Sequence, residues 1–331
     1  MANISRRSFN LALASLSGTA LLGAGPRRAS AQSWPARPVT IVMPFAAGGG
    51  GDSLARAVAA ELSEKIGGGR FIVENRTGAG GNIGGAAVAK AEPDGYTLLF
   101  ASNGPGAVNK LIYKDLQYDP ERDFVPVVHV CEVPLIIAAS LSAPAKNLAE
   151  LIAYAKANPS KLTFGSPGNG TLGHISAVLL QQQTGIKLNH VPYRGSAPLA
   201  SDLMGGQIEL AFDFLASYVQ LVNEERLRGL AVGSKARNDL IGNVPTIAEA
   251  GVAGLEAGGW YALLAPTGTP APIIEKINSV TNAYIKSDKG ATQLRNLAMT
   301  AAGGPPEALK NFLSAEVAKW RPVIKEANIS I

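Results

Sequence analysis

The sequence predicts an α/β fold of two domains with a cleft between them. Short apolar runs rich in β-branched residues alternate with longer stretches of helical period, the pattern of α/β layers with largely parallel sheets. Two long apolar strands, Val127–Ala139 and Leu227–Gly233, enclose a complete α/β unit, so the chain leaves one domain, builds a second and returns. Three times a strand runs into a loop of glycine and small polar residues that opens a helix. Loops of that kind on both sides of an interdomain cleft are suited to holding a ligand.

The first 31 residues read as an export signal. Ser5-Arg6-Arg7-Ser8-Phe9 is a twin-arginine type sequence, Leu11 to Ala24 is an apolar, small-residue stretch, and Ala29-Ser30-Ala31 is an A-x-A cleavage site that leaves Gln32 as the new terminus. The apolar stretch is shorter than the roughly 20 residues a membrane-spanning helix needs. The expected location is the periplasm. No later apolar run reaches membrane length, which predicts a soluble mature chain without membrane insertion. The leader also distorts the charge. It holds Arg6, Arg7, Arg27 and Arg28 and no acid, so the formal +5 falls to +1 without it. The basic balance therefore gives no case for nucleic acid.

The remaining chain is long enough for two domains. The expected limits are 32–137 with 234–331 for the first domain and 138–233 for the second. The single cysteine, Cys131, lies in an apolar run and is expected to pack as a small core residue. Three scattered histidines and one cysteine show no zinc spacing, so no metal is expected.

Strands are expected at Val39–Met43, Phe71–Glu74, Thr97–Ala101, Val127–Ala139, Leu162–Gly165, Leu188–Val191, Ile208–Phe212, Leu227–Gly233 and Trp260–Ala265. Helices are expected at Ser53–Ile66, Ile83–Ala91, Leu148–Asn158, Thr171–Gln183, Pro198–Met204, Ile273–Ser287 and Pro306–Ala327. Leu54, Val58, Leu62 and Ile66 fall on one stripe of the first helix, and Leu309, Phe312, Leu313, Val317, Trp320 and Ile324 on one stripe of the last. Pro322 is expected to kink that last helix.

The first glycine loop, FAAGGGGD, follows the strand Val39–Met43. Gly48 to Gly51 allow a tight turn and a close approach of backbone to a ligand. The helix behind it offers free N–H groups and the positive end of its dipole, which together form an anion site. No Lys-Ser or Lys-Thr follows the glycines, which excludes a P-loop. Asn75 to Gly84 imitates a dinucleotide fingerprint, but Ile83 stands where its last glycine belongs, and no acid ends the next strand to hold a ribose. No cofactor is expected.

In the second domain, Phe164 to Thr171 is the counterpart loop. Ser166, Asn169 and Thr171 offer hydroxyl and amide groups, and Thr171 stands where a helix cap would. Gly-Ser-Pro-Gly is not a nucleophile elbow. His174 has no carboxylate placed to orient it and reads as a structural histidine. In His190 to Pro198, Tyr193 presents an apolar face and a hydroxyl, and Gly195 and Ser196 sit where another helix begins. Asp213 ends a strand, where it either holds water or a ligand amine or caps the next helix.

Pro44-Phe45-Ala46-Ala47-Gly48-Gly49, Asn75-Arg76-Thr77-Gly78-Ala79-Gly80-Gly81, Pro93-Asp94-Gly95-Tyr96-Thr97, Val191-Pro192-Tyr193-Arg194-Gly195, Val244-Pro245-Thr246-Ile247-Ala248-Glu249-Ala250-Gly251 and Ala265-Pro266-Thr267-Gly268-Thr269-Pro270 stand in that order. Together they resemble the Bug family, the periplasmic substrate-binding receptors of tripartite tricarboxylate transporters. The resemblance covers Trp34 to Ile331. It implies a two-domain periplasmic binding protein of type II, flytrap-like, that takes a small carboxylate into an interdomain cleft: a dicarboxylate or tricarboxylate, an acidic amino acid or an aromatic acid. It implies membrane transporter subunits as partners, a monomeric receptor and no catalysis. Carried onto this chain, the ligand site comprises Phe45, Ala46, Ala47, Gly48 and Gly49 of the first loop. Facing them are Ser166, Asn169, Gly170, Thr171, Tyr193, Gly195 and Asp213, with Ser102 and Asn103 at a strand end. The alternatives are an exported hydrolase using Ser166 or His174, and an orphan receptor that passes its ligand to a signalling partner.

Overall fold

The computed structural model describes residues 34–331. The expected export signal and its expected cleavage point at Ala31 lie outside the described residues. Ten strands form one continuous sheet system among these residues. They are β1 (Val39–Met43), β2 (Phe71–Asn75), β3 (Thr97–Ala101), β4 (Phe124–Ala139), β5 (Thr163–Ser166), β6 (Asn189–Pro192), β7 (Leu210–Phe214), β8 (Arg228–Val232), β9 (Gly258–Pro266) and β10 (Thr300–Ala301). The longer helices are α1 (Gly50–Lys65), α2 (Asn82–Ala89), α3 (Leu148–Ala157), α4 (Leu172–Thr184), α5 (Ser196–Met204), α6 (Ala271–Lys286), α7 (Asp288–Asn296) and α8 (Pro306–Glu326).

The long strand β4 joins two sheets. Its first part, from Phe124 to Pro134, pairs with β9. From Leu135 to Ala139 it pairs with β7, and over Ile136 to Ala139 also with β8 on its other edge. The first sheet runs β2-β1-β3-β9-β4, and the second runs from β4 through β7 and β5 to β6. The chain returns beside the same point. Gly233 N donates to Leu135 O (2.9 Å), Ala257 N to Gly233 O (3.0 Å), and Leu135 N to Ala257 O (3.1 Å). The fold is thus α/β in two lobes with a cleft between them.

The sheets are mixed, not largely parallel. β1, β2 and β3 pair in parallel, as do β5, β6 and β7, because helices cross between them. Every ladder made by β4 and β9 is antiparallel. These strands enter and leave between lobes and arrive without a local crossover helix, the connection that parallel neighbours require. Leu227–Gly233 is not a crossing strand of that length. β8 pairs with β4 inside the second sheet, the chain after it still packs on that lobe, with Ile247 N donating to Val232 O (2.9 Å), and the passage back comes at Ala257.

The cores follow the expected stripes. Leu54, Val58, Leu62 and Ile66 are buried against Val39, Ile41 and Met43 on one face of the first sheet. On the other side Leu309, Val317, Trp320 and Ile324 of α8 are buried. That helix continues through Pro322, which cannot donate to the carbonyl one turn before it. Cys131 is fully buried, with its Sγ 3.6 Å from the Met299 sulfur. Two elements carry too little local signal to be read from sequence. β10 is only two residues long and pairs with Glu132 and Cys131. The polar α7 is capped by the Ser287 hydroxyl, which accepts from Gly290 N (3.1 Å).

Candidate functional site

The first loop is held by one carboxylate. Asp52 lies in the first turn of α1, a helix that starts inside the glycine run with Gly49 as N-cap. Asp52 Oδ2 accepts from Gly48 N (3.0 Å) and Arg56 Nε (3.0 Å), and Oδ1 accepts from Asn75 Nδ2 (2.9 Å). The same Asn75 amide donates to Phe45 O (2.9 Å). Burial alone would raise the Asp52 carboxyl. The Arg56, Gly48 and Asn75 hydrogen bonds overcome that and hold it below the usual range. Gly48 has φ +88°, a left-handed conformation that suits glycine.

The glycines admit the rest of the protein as much as a ligand. A Cβ on Gly50 would lie 2.5 Å from Ala216 Cβ of the second lobe, and one on Gly51 would lie 2.5 Å from the Tyr261 hydroxyl. Gly50 N donates to Ser217 Oγ (2.9 Å). The amides of Gly51 and Asp52, at the start of α1, meet no acceptor among the described residues.

Opposite stands the start of α4. Thr171 is its N-cap, but the hydroxyl does not cap it. It donates to Gly168 O (2.7 Å), so it braces the loop that precedes the helix. The amides of Leu172 and Gly173 are left facing the cleft without a backbone partner. Ser196, at the start of α5, and Ser102, Asn103 and Gly104, at the end of β3, approach the same space. Several helix N-termini from both lobes thus converge, each bringing free N–H groups and positive dipole character. They wall a narrow chamber with Met43, Phe45, Leu172, Phe214 and Tyr261 as its apolar lining.

Among the expected site residues, Phe45, Ala46, Gly49, Ser102, Asn103, Thr171 and Asp213 line this chamber. Ala47, Gly48, Ser166, Asn169, Gly170, Tyr193 and Gly195 do not. Physical reasons separate them. The Tyr193 hydroxyl turns back to its own helix and donates to Asp202 Oδ2 (2.8 Å). Asn169 and Tyr193 line a neighbouring cavity, which shares Phe45 and Pro167 with the chamber. Gly195, with φ +138°, lets the lobes touch, for Ala46 N donates to the adjoining Arg194 O (2.9 Å). Asn103 contributes backbone. Its side chain is turned away, donating to Glu316 Oε2 (3.0 Å) and accepting from Trp260 N (3.2 Å).

Ser166 is fully buried. Its Oγ lies 2.7 Å from His190 Nε2 and 3.0 Å from Gly168 O. His190 stacks between Phe164 (4.7 Å) and His174 (4.4 Å), and His174 Nδ1 accepts from Gly170 N (3.2 Å). This column supports the Gly168–Thr171 loop from behind. The serine does not reach the chamber.

Residues missed in the sequence fall into two kinds. Gly51, Asp52, Leu172 and Gly173 are the first residues of their helices, where free amides are always found, and that rule could have placed them. Tyr261 and Phe214 come from strands distant in sequence and had no local signal. Asp213 is nearly fully buried. Its Oδ1 accepts from Phe214 N (2.7 Å) and its Oδ2 from the Tyr218 hydroxyl (3.2 Å). Burial pushes its carboxyl up to about 7, against hydrogen bonds from Ser196, Phe214 N–H and Tyr218 that favour the ionised form.

A two-lobed α/β fold whose helix N-termini close on a chamber between the lobes defines a solute-binding protein of the periplasmic type. The sequence profile of the tripartite tricarboxylate transporter family receptors matches residues 54–329. This chain belongs to that family, which includes the Bug proteins. It is similar to the Rhodopseudomonas palustris protein Rpa4515, solved with adipate, at 40% identity and a TM-score of 0.86, covering 90% of this chain and 100% of that one. The periplasmic binding protein BugD is 34% identical with a TM-score of 0.86 over 90% of this chain and 100% of that one. MatC from R. palustris, solved with bound malate, is 31% identical with a TM-score of 0.84 over 88% and 100%.

Proposed function

We propose that this protein is an exported periplasmic receptor that captures a small carboxylate between its lobes and presents it to the membrane subunits of a tripartite tricarboxylate-type transporter. The observation that carries this reading is the convergence of free amides at Gly51 and Asp52 with those at Leu172 and Gly173 on one enclosed chamber. Such amides favour an anion without a cationic side chain. Adipate and malate in two relatives favour a small dicarboxylate as the ligand class here. The family is one of receptors, which supports binding without chemistry.

In this reading the first domain comprises residues 32–137 and 234–331 and the second 138–233. The switch of β4 from β9 to β7 between Pro134 and Leu135 supports limits in that region. Phe45, Ala46, Gly49, Ser102, Asn103, Thr171 and Asp213 belong to the ligand site, together with the amides above. Cleavage after Ala31 yields the mature protein, and no described helix is long and apolar enough to cross a membrane.

A thermal-shift panel of organic acids, followed by calorimetry, tests the function. A ligand at a hundred times its dissociation constant adds about 2.7 kcal/mol. Stabilisation by one or more dicarboxylates is expected, with the acid recovered unaltered after long incubation. Failure of every acid in the panel to stabilise the mature protein would sink the carboxylate reading. Mass spectrometry of the periplasmic fraction tests export, with a species beginning at Gln32 expected. A cytoplasmic species that retains residues 1–31 would refute it.

A further inference from the structure

The chamber contains two carboxylates in opposite circumstances. Asp52 is matched by Arg56, Asn75 and Gly48 N–H. Asp213 has only neutral donors: Phe214 N–H, the Tyr218 hydroxyl and Ser196. The titratable groups around it offer no cation. Tyr218 stands just beyond it in the chain and Tyr193 near Tyr218. Tyr261 comes from β9, and Asp52 from α1 shares the chamber. Arg56 is committed to Asp52 and to Asn75. His174 stacks on His190 and His190 on Phe164, which meets Phe212, and strand alternation turns Asp213 to the opposite face from Phe212.

An acid drawn to the helix N-termini therefore shares a buried space with a carboxylate that has no counter-ion. Two carboxylates in such a space do not both stay ionised, because water no longer screens their repulsion. One proton resolves the conflict and also creates a donor. We propose that Asp213 takes up one proton from solvent as the chamber captures a carboxylate, and that its O–H then donates to the bound acid, so that capture is coupled to a proton. This rests on the carboxylate reading of the site. Burial already places the Asp213 carboxyl near neutrality, so the proton is supplied at small cost at the pH of binding.

The test is titration calorimetry of the mature protein with adipate at about pH 8, in buffers of different ionisation enthalpy, for wild type and Asp213→Asn. Wild type is expected to take up close to one proton per adipate, with affinity falling about tenfold per pH unit above the midpoint. Asp213→Asn, which keeps a neutral donor in place, is expected to take up none and to bind adipate with a flat pH profile. Carbon-13 NMR of aspartate carboxyls in the ligand-free protein gives a second readout. One resonance should titrate near neutrality and be missing in Asp213→Asn. Titration of every aspartate below about pH 5 would overturn the proposal, as would adipate binding without proton uptake. Binding of aspartate or glutamate in preference to adipate, again without proton uptake, would also overturn it, because an ionised Asp213 would then be holding a ligand ammonium. Failure of every acid to bind would instead overturn the carboxylate reading and this proposal with it.

Discussion

Gly51 shows how much one missing methyl group can decide. A Cβ there would lie 2.5 Å from the hydroxyl and 2.6 Å from the ring of Tyr261, a buried side chain of the chamber's lining. Gly51→Val is expected to push the first turn of α1 out of place and weaken binding of a cognate acid about a hundredfold, ~2.8 kcal/mol. Calorimetry alongside a melting curve separates the lost site from lost folding. Unchanged affinity would remove the α1 amides from the site. Thr171→Val acts differently, for its hydroxyl donates to Gly168 O and not to the helix. The expected cost is ~1 kcal/mol of stability, with affinity lowered through the loosened loop. Urea midpoints and dissociation constants of the same variant measure the two effects. Histidine sets the acid limit. Burial pushes His190 down to about 3 and His129 down to about 4, so the unfolded chain binds more protons than the folded one between those values and about 6.5. The histidine contribution to stability is therefore expected to fall as pH drops below about 6.5, while the raised Asp213 carboxyl contributes in the opposite sense, and His190→Gln should reduce the histidine part of the slope in urea titrations.

At the scale of elements, α8 does more than cover the first sheet. Its Glu316 Oε2 accepts from Asn103 Nδ2 (3.0 Å), Trp260 Nε1 (3.1 Å) and Trp320 Nε1 (3.2 Å), all within the core. This ties the last helix to β9 and to the Ser102–Gly104 turn that floors the chamber. Glu316→Ala leaves three buried donors without an acceptor and is expected to cost about 3 kcal/mol or more. A denaturant midpoint within error of wild type would show that water or relaxation replaces the carboxylate. The expected apolar stripe of α8 explains why it packs, yet nothing in its own sequence marks Glu316 as the residue that anchors the Ser102–Gly104 turn. Likewise the start of α1 moved from Ser53 to Gly50, because Asp52 ties back to Gly48 N–H and steadies a helix across glycines.

For the whole molecule, the lobes are drawn together by a few hydrogen bonds around the chamber. Ala46 N donates to Arg194 O (2.9 Å), Gly50 N to Ser217 Oγ (2.9 Å) and the Tyr113 hydroxyl to Asn169 O (2.9 Å). Each is worth on the order of 1 kcal/mol against water, so ligand contacts with both lobes can set the balance between open and shut forms. The radius of gyration in solution is expected to fall on adding a cognate acid. Tyr113→Phe is expected to favour the open form and weaken affinity severalfold. No change in scattering at saturating acid would point to a preformed rigid site.

The strands, the longer helices and the strand–loop–helix order of the glycine loops were written in local patterns. Apolar period, glycine runs and helix starts are properties of neighbouring residues, and they act wherever the chain goes. The side-chain directions inside the chamber were not local. The Tyr193 hydroxyl found Asp202, Thr171 turned to Gly168 O, and Ser166 met His190, each because the nearest satisfying partner for a buried polar group depends on packing. The mixed sheet and the placement of Tyr261, Glu316 and Asp213 needed strands and helices distant in sequence to meet across β4. The sequence by itself determined which segments end a strand in a glycine loop and open a helix with free N–H groups. Only the tertiary structure decided which atoms face the chamber, because that choice follows from long-range contacts and from the desolvation they impose.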